Sequence, residues 1–204
     1  MAKLKAPLLS LGASGAIGKT IVYFGWKGLD CAREYVVPSN PKTEPQNTQR
    51  GYVIAAVAAI HDAQVAVASP LIEVDKSAYA LYGTTFPTPR TWFNQVIQRW
   101  LLAEVNGEVA AIYAAGAFED VGAGATTITI FNHQTADQAG FMVCGTSKTA
   151  MLKAVAADGV ASEQIGVFTG LTKGVKYFFQ FRPTKVSDDK YVARSGIYYH
   201  VQVD

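Results

Sequence analysis

The feature that most restricts the fold of this chain is a change in apolar period near residue 115. Before it, apolar side chains recur at the three- and four-residue spacing of a helix; after it they alternate, at the two-residue spacing of a strand. Helices and strands therefore occupy successive stretches, the order expected of an α+β protein. Tyr52, Val53, Ala56, Val57 and Ile60 define the buried face of a helix from about Glu44 to Val67, opened by Thr43 as N-cap with Gln46 as its capping-box partner. A short second helix is expected after Asp75, carrying Ala78, Tyr79 and Tyr82. A third opens at Thr88-Pro89, where proline suits the first turn, and runs through Trp92, Phe93, Val96, Ile97, Trp100 and Leu101 to Asn106-Gly107. Then Thr126–Phe131 alternates, Phe141–Cys144 is a short apolar run, Tyr177–Phe181 is aromatic-rich, and Tyr198–Val201 ends the series as a strand. The stretch Val105–Ala117 fits a helix end, a linker or a first strand equally well.

Ahead of the helices lies a glycine-punctuated segment of β-formers. Thr20–Phe24 reads as a strand, Gly25-Trp26-Lys27-Gly28 as a turn, and Ala32–Val37 as the returning strand. Pro38 and Pro41 end it, because proline cannot donate to a sheet ladder. The expected organisation is thus a β-hairpin with about three helices over residues 1–114, then an all-β immunoglobulin-like sandwich over 115–204.

Composition narrows the function. Half of the residues are hydrophobic and 17% are charged, which excludes general disorder. The formal net charge is +2, with ten basic and eight acidic residues in 1–114 and eight of each in 115–204, so no nucleic-acid partner is expected. The longest apolar stretch, Val53–Ile60, is far short of the roughly 20 residues of a membrane-spanning helix, and no membrane partner is expected either. Met1–Lys5 is basic but no apolar run follows it, which points to synthesis and folding in the cytoplasm. Cys31 and Cys144 are expected to be buried small hydrophobes rather than a disulfide.

The segment Ala13–Thr20 fits a loose phosphate-loop pattern ending in Gly18-Lys19-Thr20. A phosphate loop needs a helix to start at its Lys-Thr end, so that the helix N-terminus faces the phosphate. Ile21–Phe24 reads as strand instead, and no βαβ series follows; Leu71–Asp75, interrupted by Glu73, is a poor metal-binding strand. His61, His133 and His200 are scattered without metal-ligand spacing, and each is expected to be a surface or hydrogen-bonded structural residue. Cys144 has no evident His partner, Ser14 lacks the spacing of a nucleophile elbow, and Asp188-Asp189 lie in a turn-like stretch as solvated acids. No catalytic residue, cofactor, metal or small-molecule substrate is expected, and the chain reads as non-enzymatic.

Two resemblances add to this. Phe168–Phe179, with Leu171, Gly174 and Tyr177, resembles the corner before the sixth strand of fibronectin type III domains, and Ser195-Gly196 is similar to the turn feeding that family's last strand. The resemblance implies that Leu171 plugs the end of a sandwich while the Tyr177 hydroxyl ties the corner to nearby backbone. No clear Trp stands in the early strands, where many such domains have one. Further upstream, Gly18-Lys19-Thr20, Trp26-Lys27-Gly28, Arg33, Asn40-Pro41, Thr43 and Gln46 resemble a pattern of uncharacterised proteins of bacteriophages and their hosts. That resemblance implies a virion component of the tail, neck or capsid surface, whose partners are other virion proteins or copies of itself. The hairpin residues Tyr23, Trp26, Lys27, Arg33 and Tyr35 are the candidate assembly interface, although Trp26 could equally fold back as core. The alternative is a module that binds carbohydrate or a cell-surface protein, with tyrosines near Tyr191 and Tyr198 as stacking surfaces.

Overall fold

In the computed structural model the described residues are 2–3, 14–37, 39, 42–122, 124–133, 139–160, 162–184 and 193–203. They form an α+β protein with three helices and three antiparallel sheets. The chain divides into two compact units, Met1–Thr43 and Glu44–Asp204. The expected boundary at 114/115 falls instead inside a strand, because the helices share their apolar surfaces with the β region.

The N-terminal unit is a four-stranded sheet made of β1 (Ala2–Lys3), β2 (Gly15–Ile17), β3 (Ile21–Trp26) and β4 (Leu29–Glu34), in the order β1-β4-β3-β2. The β3–β4 hairpin is tighter than its sequence suggests. Trp26 pairs with Leu29, so the turn is only Lys27-Gly28, both at positive φ (50° and 78°). Two left-handed residues make the turn whose twist matches that of paired strands. The returning strand begins at Leu29 rather than Ala32 for this reason, and Tyr35–Val37 lie beyond it. The phosphate-loop-like stretch is a second hairpin, with Ile17 paired to Ile21 and Lys19 in the connecting turn, so the strand expected after Thr20 is present. Pro38 and Pro41 lie outside the described residues.

In the C-terminal unit, α1 spans Glu44–Val65, α2 Glu73–Gly83 and α3 Trp92–Val105. The buried face of α1 is Ala56, Ala59, Ile60 and Ala63, while Val53 is exposed, a correction to its expected face. Helix α2 starts at Glu73, ahead of Asp75, because the Asp75 carboxylate accepts the otherwise orphaned Ile72 N–H at 3.0 Å. Helix α3 starts at Trp92, not at Thr88-Pro89: Thr91 is the N-cap, its Oγ1 accepting the Asn94 N–H at 3.4 Å.

The strands of this unit are β5 (Tyr113–Gly122), β6 (Ala125–Asn132), β7 (Gly140–Gly145), β8 (Lys153–Ala156), β9 (Asp158–Val160), β10 (Glu163–Phe168), β11 (Lys176–Pro183) and β12 (Tyr198–Val201). The open stretch 105–117 resolves into the end of α3, a connection, and the start of β5. Two sheets result, β5-β6-β10-β9 and β12-β11-β7-β8. One core joins them: Tyr113, Ile128 and Phe168 from the first, Met142, Phe179 and Phe181 from the second. Phe118 and Phe168 each meet Phe179 with ring centroids 5.2 and 5.4 Å apart, and Tyr113 meets Phe181 at 5.2 Å. A second core packs α1 and α3 around Ile60, Val96 and Trp100 and takes in Ile112, just ahead of β5, and Ala114 within it. Each fully buried Leu, Ile or Phe side chain contributes about 1.5–3 kcal/mol by leaving water.

Candidate functional site

The sheet of the N-terminal unit is short of buried side chains. Among the described residues of β2, β3 and β4, only Cys31 is buried. Residues paired directly across strands share a face, so Val22, Phe24, Trp26, Leu29, Cys31 and Arg33 lie on one side, and Ile21, Tyr23, Asp30, Ala32 and Glu34 on the other. Ile17 joins Ile21 on the second side through the β2 pairing. Both sides thus carry apolar residues in water: Trp26 is 55% exposed, and Ile17, Ile21 and Leu29 are exposed as well.

Of the candidate interface residues, Trp26 and Arg33 fall on the same face, with the Arg33 guanidinium 5.5 Å from the Phe24 ring centroid between them. Tyr23 is on the opposite face. Lys27 stands at the hairpin tip, its Nζ 6.0 Å from the Trp26 ring. Tyr35 follows β4 and its N–H donates to Thr20 O at 2.7 Å. The five residues therefore cover both faces and the tip rather than one patch.

In the C-terminal unit several buried polar residues are tied into structure. Asp75 is fully buried; its Oδ1 accepts the Tyr198 hydroxyl at 2.8 Å and the Gly116 N–H at 3.2 Å. That N–H is available because the β5–β6 register shifts between Ala114 and Ala117, releasing Gly116 from the ladder. The Tyr79 hydroxyl donates to Tyr113 O at 3.1 Å and accepts the Tyr113 N–H at 3.0 Å. Burial pushes the Tyr79 and Tyr198 hydroxyls well above the usual phenol range. Sequence reading missed Asp75 and Gly116, which meet across 41 residues and give no local signal.

The histidines have the structural roles expected of them. His61 is exposed on α1, and His133 lies 2.8 Å from Ser69 O through Nε2, with burial lowering its pKa. His200 pairs with Asp120 at 2.9 Å and stacks on Phe118 at 4.9 Å. Desolvation raises the Asp120 carboxyl, but hydrogen bonds from His200, Thr126 and the Val203 N–H outweigh it and hold the group below its ordinary value. Cys31 and Cys144 are free and buried, and burial pushes the Cys144 thiol up to about 11. No group of metal-ligating side chains occurs among the described residues, and no described helix is long and apolar enough to cross a membrane. Asp188-Asp189 and Tyr191 lie outside the described residues. Tyr198 is 2% exposed and hydrogen-bonded to Asp75, so it is no stacking surface; its neighbour Tyr199, at 57%, is the exposed aromatic.

Leu171 is buried and the Tyr177 hydroxyl accepts the Thr172 N–H at 3.0 Å. Beside β12, a groove of about 720 Å³ runs between α2 and β5, with Val74, Leu81, Phe118 and Tyr199 among its mostly apolar walls.

No family model matches the chain, and no curated protein matches it. Among solved structures it is similar to the crystal structure of a bromine derivative of BhCBM56, a carbohydrate-binding module. The match has 11% identity over 44% of this chain and 91% of that one, with a TM-score of 0.32. A likeness of that extent carries no argument about the fold or the ligand of this chain.

Proposed function

We propose that this protein is a non-enzymatic structural component of a bacteriophage virion, of the tail, neck or capsid surface, and that its N-terminal sheet packs on, or adds strands to, a neighbouring subunit. The observation that carries the assembly reading is the sheet itself, with apolar residues exposed on both faces and one buried side chain in β2–β4. A small sheet without a packed face is marginal in water and needs a surface to cover it. Its edges are short strands, β1 and β2, which leave backbone donors and acceptors for another chain. The virion context rests on the resemblance of the Trp26-Lys27-Gly28 to Gln46 pattern, and the partner is another virion protein or a second copy.

We also read the C-terminal unit as a fibronectin-III-like sandwich. The strand orders β5-β6-β10 and β12-β11-β7-β8 and the Tyr177 corner support this reading. A carbohydrate or cell-surface ligand is the second reading, favoured by the groove and its exposed Tyr199.

The test uses the full chain with Trp26→Ser and Tyr23→Ser, one change on each face. Mass spectrometry of intact particles, or of the complex that co-purifies, should find the parent at fixed stoichiometry and the double variant missing. The melting of the C-terminal unit should stay unchanged. Normal incorporation of the double variant refutes the sheet as the interface.

A further inference from the structure

The two faces of the N-terminal sheet differ in charge, although both carry exposed apolar residues. Among the described side chains of β2–β4, the face of Val22, Phe24, Trp26 and Leu29 has Arg33, exposed near the end of β4. Lys27 at the hairpin tip holds its Nζ 6.0 Å from the Trp26 ring, on that same side. The face of Ile17, Ile21 and Tyr23 has Asp30 and Glu34 instead. Asp30 pairs with Gly25, one position from the tip pair, and Glu34 is the last residue of β4. One face thus has a cation toward each end of the β3–β4 hairpin, and the other a carboxylate toward each end. Four residues of strand, about 13 Å, separate the two carboxylates. Among the described residues no ion pair within the chain joins any of these four charges.

We propose that the neighbouring subunit is a second copy of this chain, and that the cationic face of one sheet packs on the acidic face of the next. The inference rests on the assembly reading and adds to it the identity of the partner and the faces that meet. Packed sheets lie about 10 Å apart, within reach of long charged side chains at the ends of the contact. Because the charges sit toward both ends, the two faces are complementary whether the strands of the second copy run the same way or the reverse. Either face laid on its own kind would oppose like charges instead, which disfavours a twofold contact. The apolar residues between the ends are covered in the same contact.

The size of the sheet sets the strength. Six residues by four strands span about 20 by 14 Å, or roughly 300 Å² per partner, against roughly 800 Å² in a standard stable interface. A single contact is therefore weak. It is also heterologous, so every pair leaves one cationic and one acidic face uncovered, and copies add until a ring closes or a row extends.

Sedimentation of the purified full chain tests this, from about 10 μM to about 1 mM, the range of weak contacts. The parent should associate beyond a dimer as concentration rises, and added salt should weaken the association. Arg33→Glu and Glu34→Arg should each weaken it about tenfold, since each sets like charges against one another. An equimolar mixture of the two variants should recover it, because the reversed face of each then complements a face of the other. That recovery also shows that both variants are folded; Lys27→Glu with Asp30→Lys repeats the test at the other end of the hairpin if either is not. The inference is overturned if the parent stays monomeric, if either folded variant associates as the parent does, or if the mixture fails to recover. A monomeric parent whose Trp26→Ser, Tyr23→Ser variant is still lost from particles would overturn the second copy as partner and leave the sheet as the interface with another protein.

Discussion

Gly116→Ala tests the joint between α2 and the two sheets. A Cβ built at Gly116 would collide with Cε1 of Tyr198 and sit 2.6 Å from its Cδ1 and Cζ, a distance no real side chain tolerates. The backbone is not the obstacle, since φ at Gly116 lies outside the left-handed region. The ring cannot swing aside cheaply, because Tyr198 is buried and its hydroxyl donates to the buried Asp75 carboxylate. Two costs therefore arise. Overpacking costs about 1–3 kcal/mol, and displacing the ring sacrifices a hydrogen bond to a charged group, about 1.5–3 kcal/mol more. Taken as alternatives that partly relieve each other, they give roughly 2–4 kcal/mol. That corresponds to a fall in melting temperature of about 4–16 °C for a chain of this size. Urea unfolding followed by circular dichroism would measure it. The same change in a Tyr198→Ala background should cost less than about 1 kcal/mol, since the clash is gone. If Gly116→Ala melts with the parent, or costs as much in both backgrounds, the close approach is not what excludes a side chain there.

Tyr177→Phe keeps the ring but loses the bond from the Thr172 N–H, and should cost about 1 kcal/mol in denaturant unfolding. Leu171→Ala opens a cavity at the same corner and should cost about 2–5 kcal/mol; a value near zero would remove Leu171 from the core. Asp120 has a native pKa below its unfolded one, so its contribution is complete above about pH 4 and is lost as pH falls through the native value. The stability gap between the parent and Asp120→Asn should therefore close on acidification below that point, and a gap that widens would refute the sign. Cys144, buried with its thiol near 11, should resist thiol reagents at pH 8 until the protein unfolds.

Local periodicity made much of this legible. The spacing of Ala56 and Ile60 placed α1, and the alternation through Ile128 and Ile130 placed β6, because each pattern records one face of one element. The errors fall where a distant partner or a single hydrogen bond sets the boundary. Helix α3 begins at Trp92 because the Thr91 hydroxyl caps it, although Thr88-Pro89 offers a similar signal three residues earlier. The hairpin turn shrank to Lys27-Gly28 because Lys27 adopts positive φ, a conformation that lysine seldom takes. Asp75 meets Gly116 across 41 residues, and no spacing rule links positions that far apart. The division of the N-terminal sheet's apolar residues over two faces needed the register.

The bond from the Ile197 N–H to Ala78 O, 2.9 Å long, ties the last strand to the second helix, and Gly196 lies against that helix so closely that a Cβ would meet Ala78. During synthesis, α2 waits for the chain to reach β12 before its docking surface exists. The pairs of the N-terminal sheet, by contrast, all fall between residues 2 and 34. The order of maturation is therefore opposite in the two units. The sheet has all of its own strands while the body is still being translated, and contacts of such long range make the body the slow step. A nascent chain thus carries a sheet with exposed apolar residues before it has a finished body, the interval in which such surface is most open to misassembly.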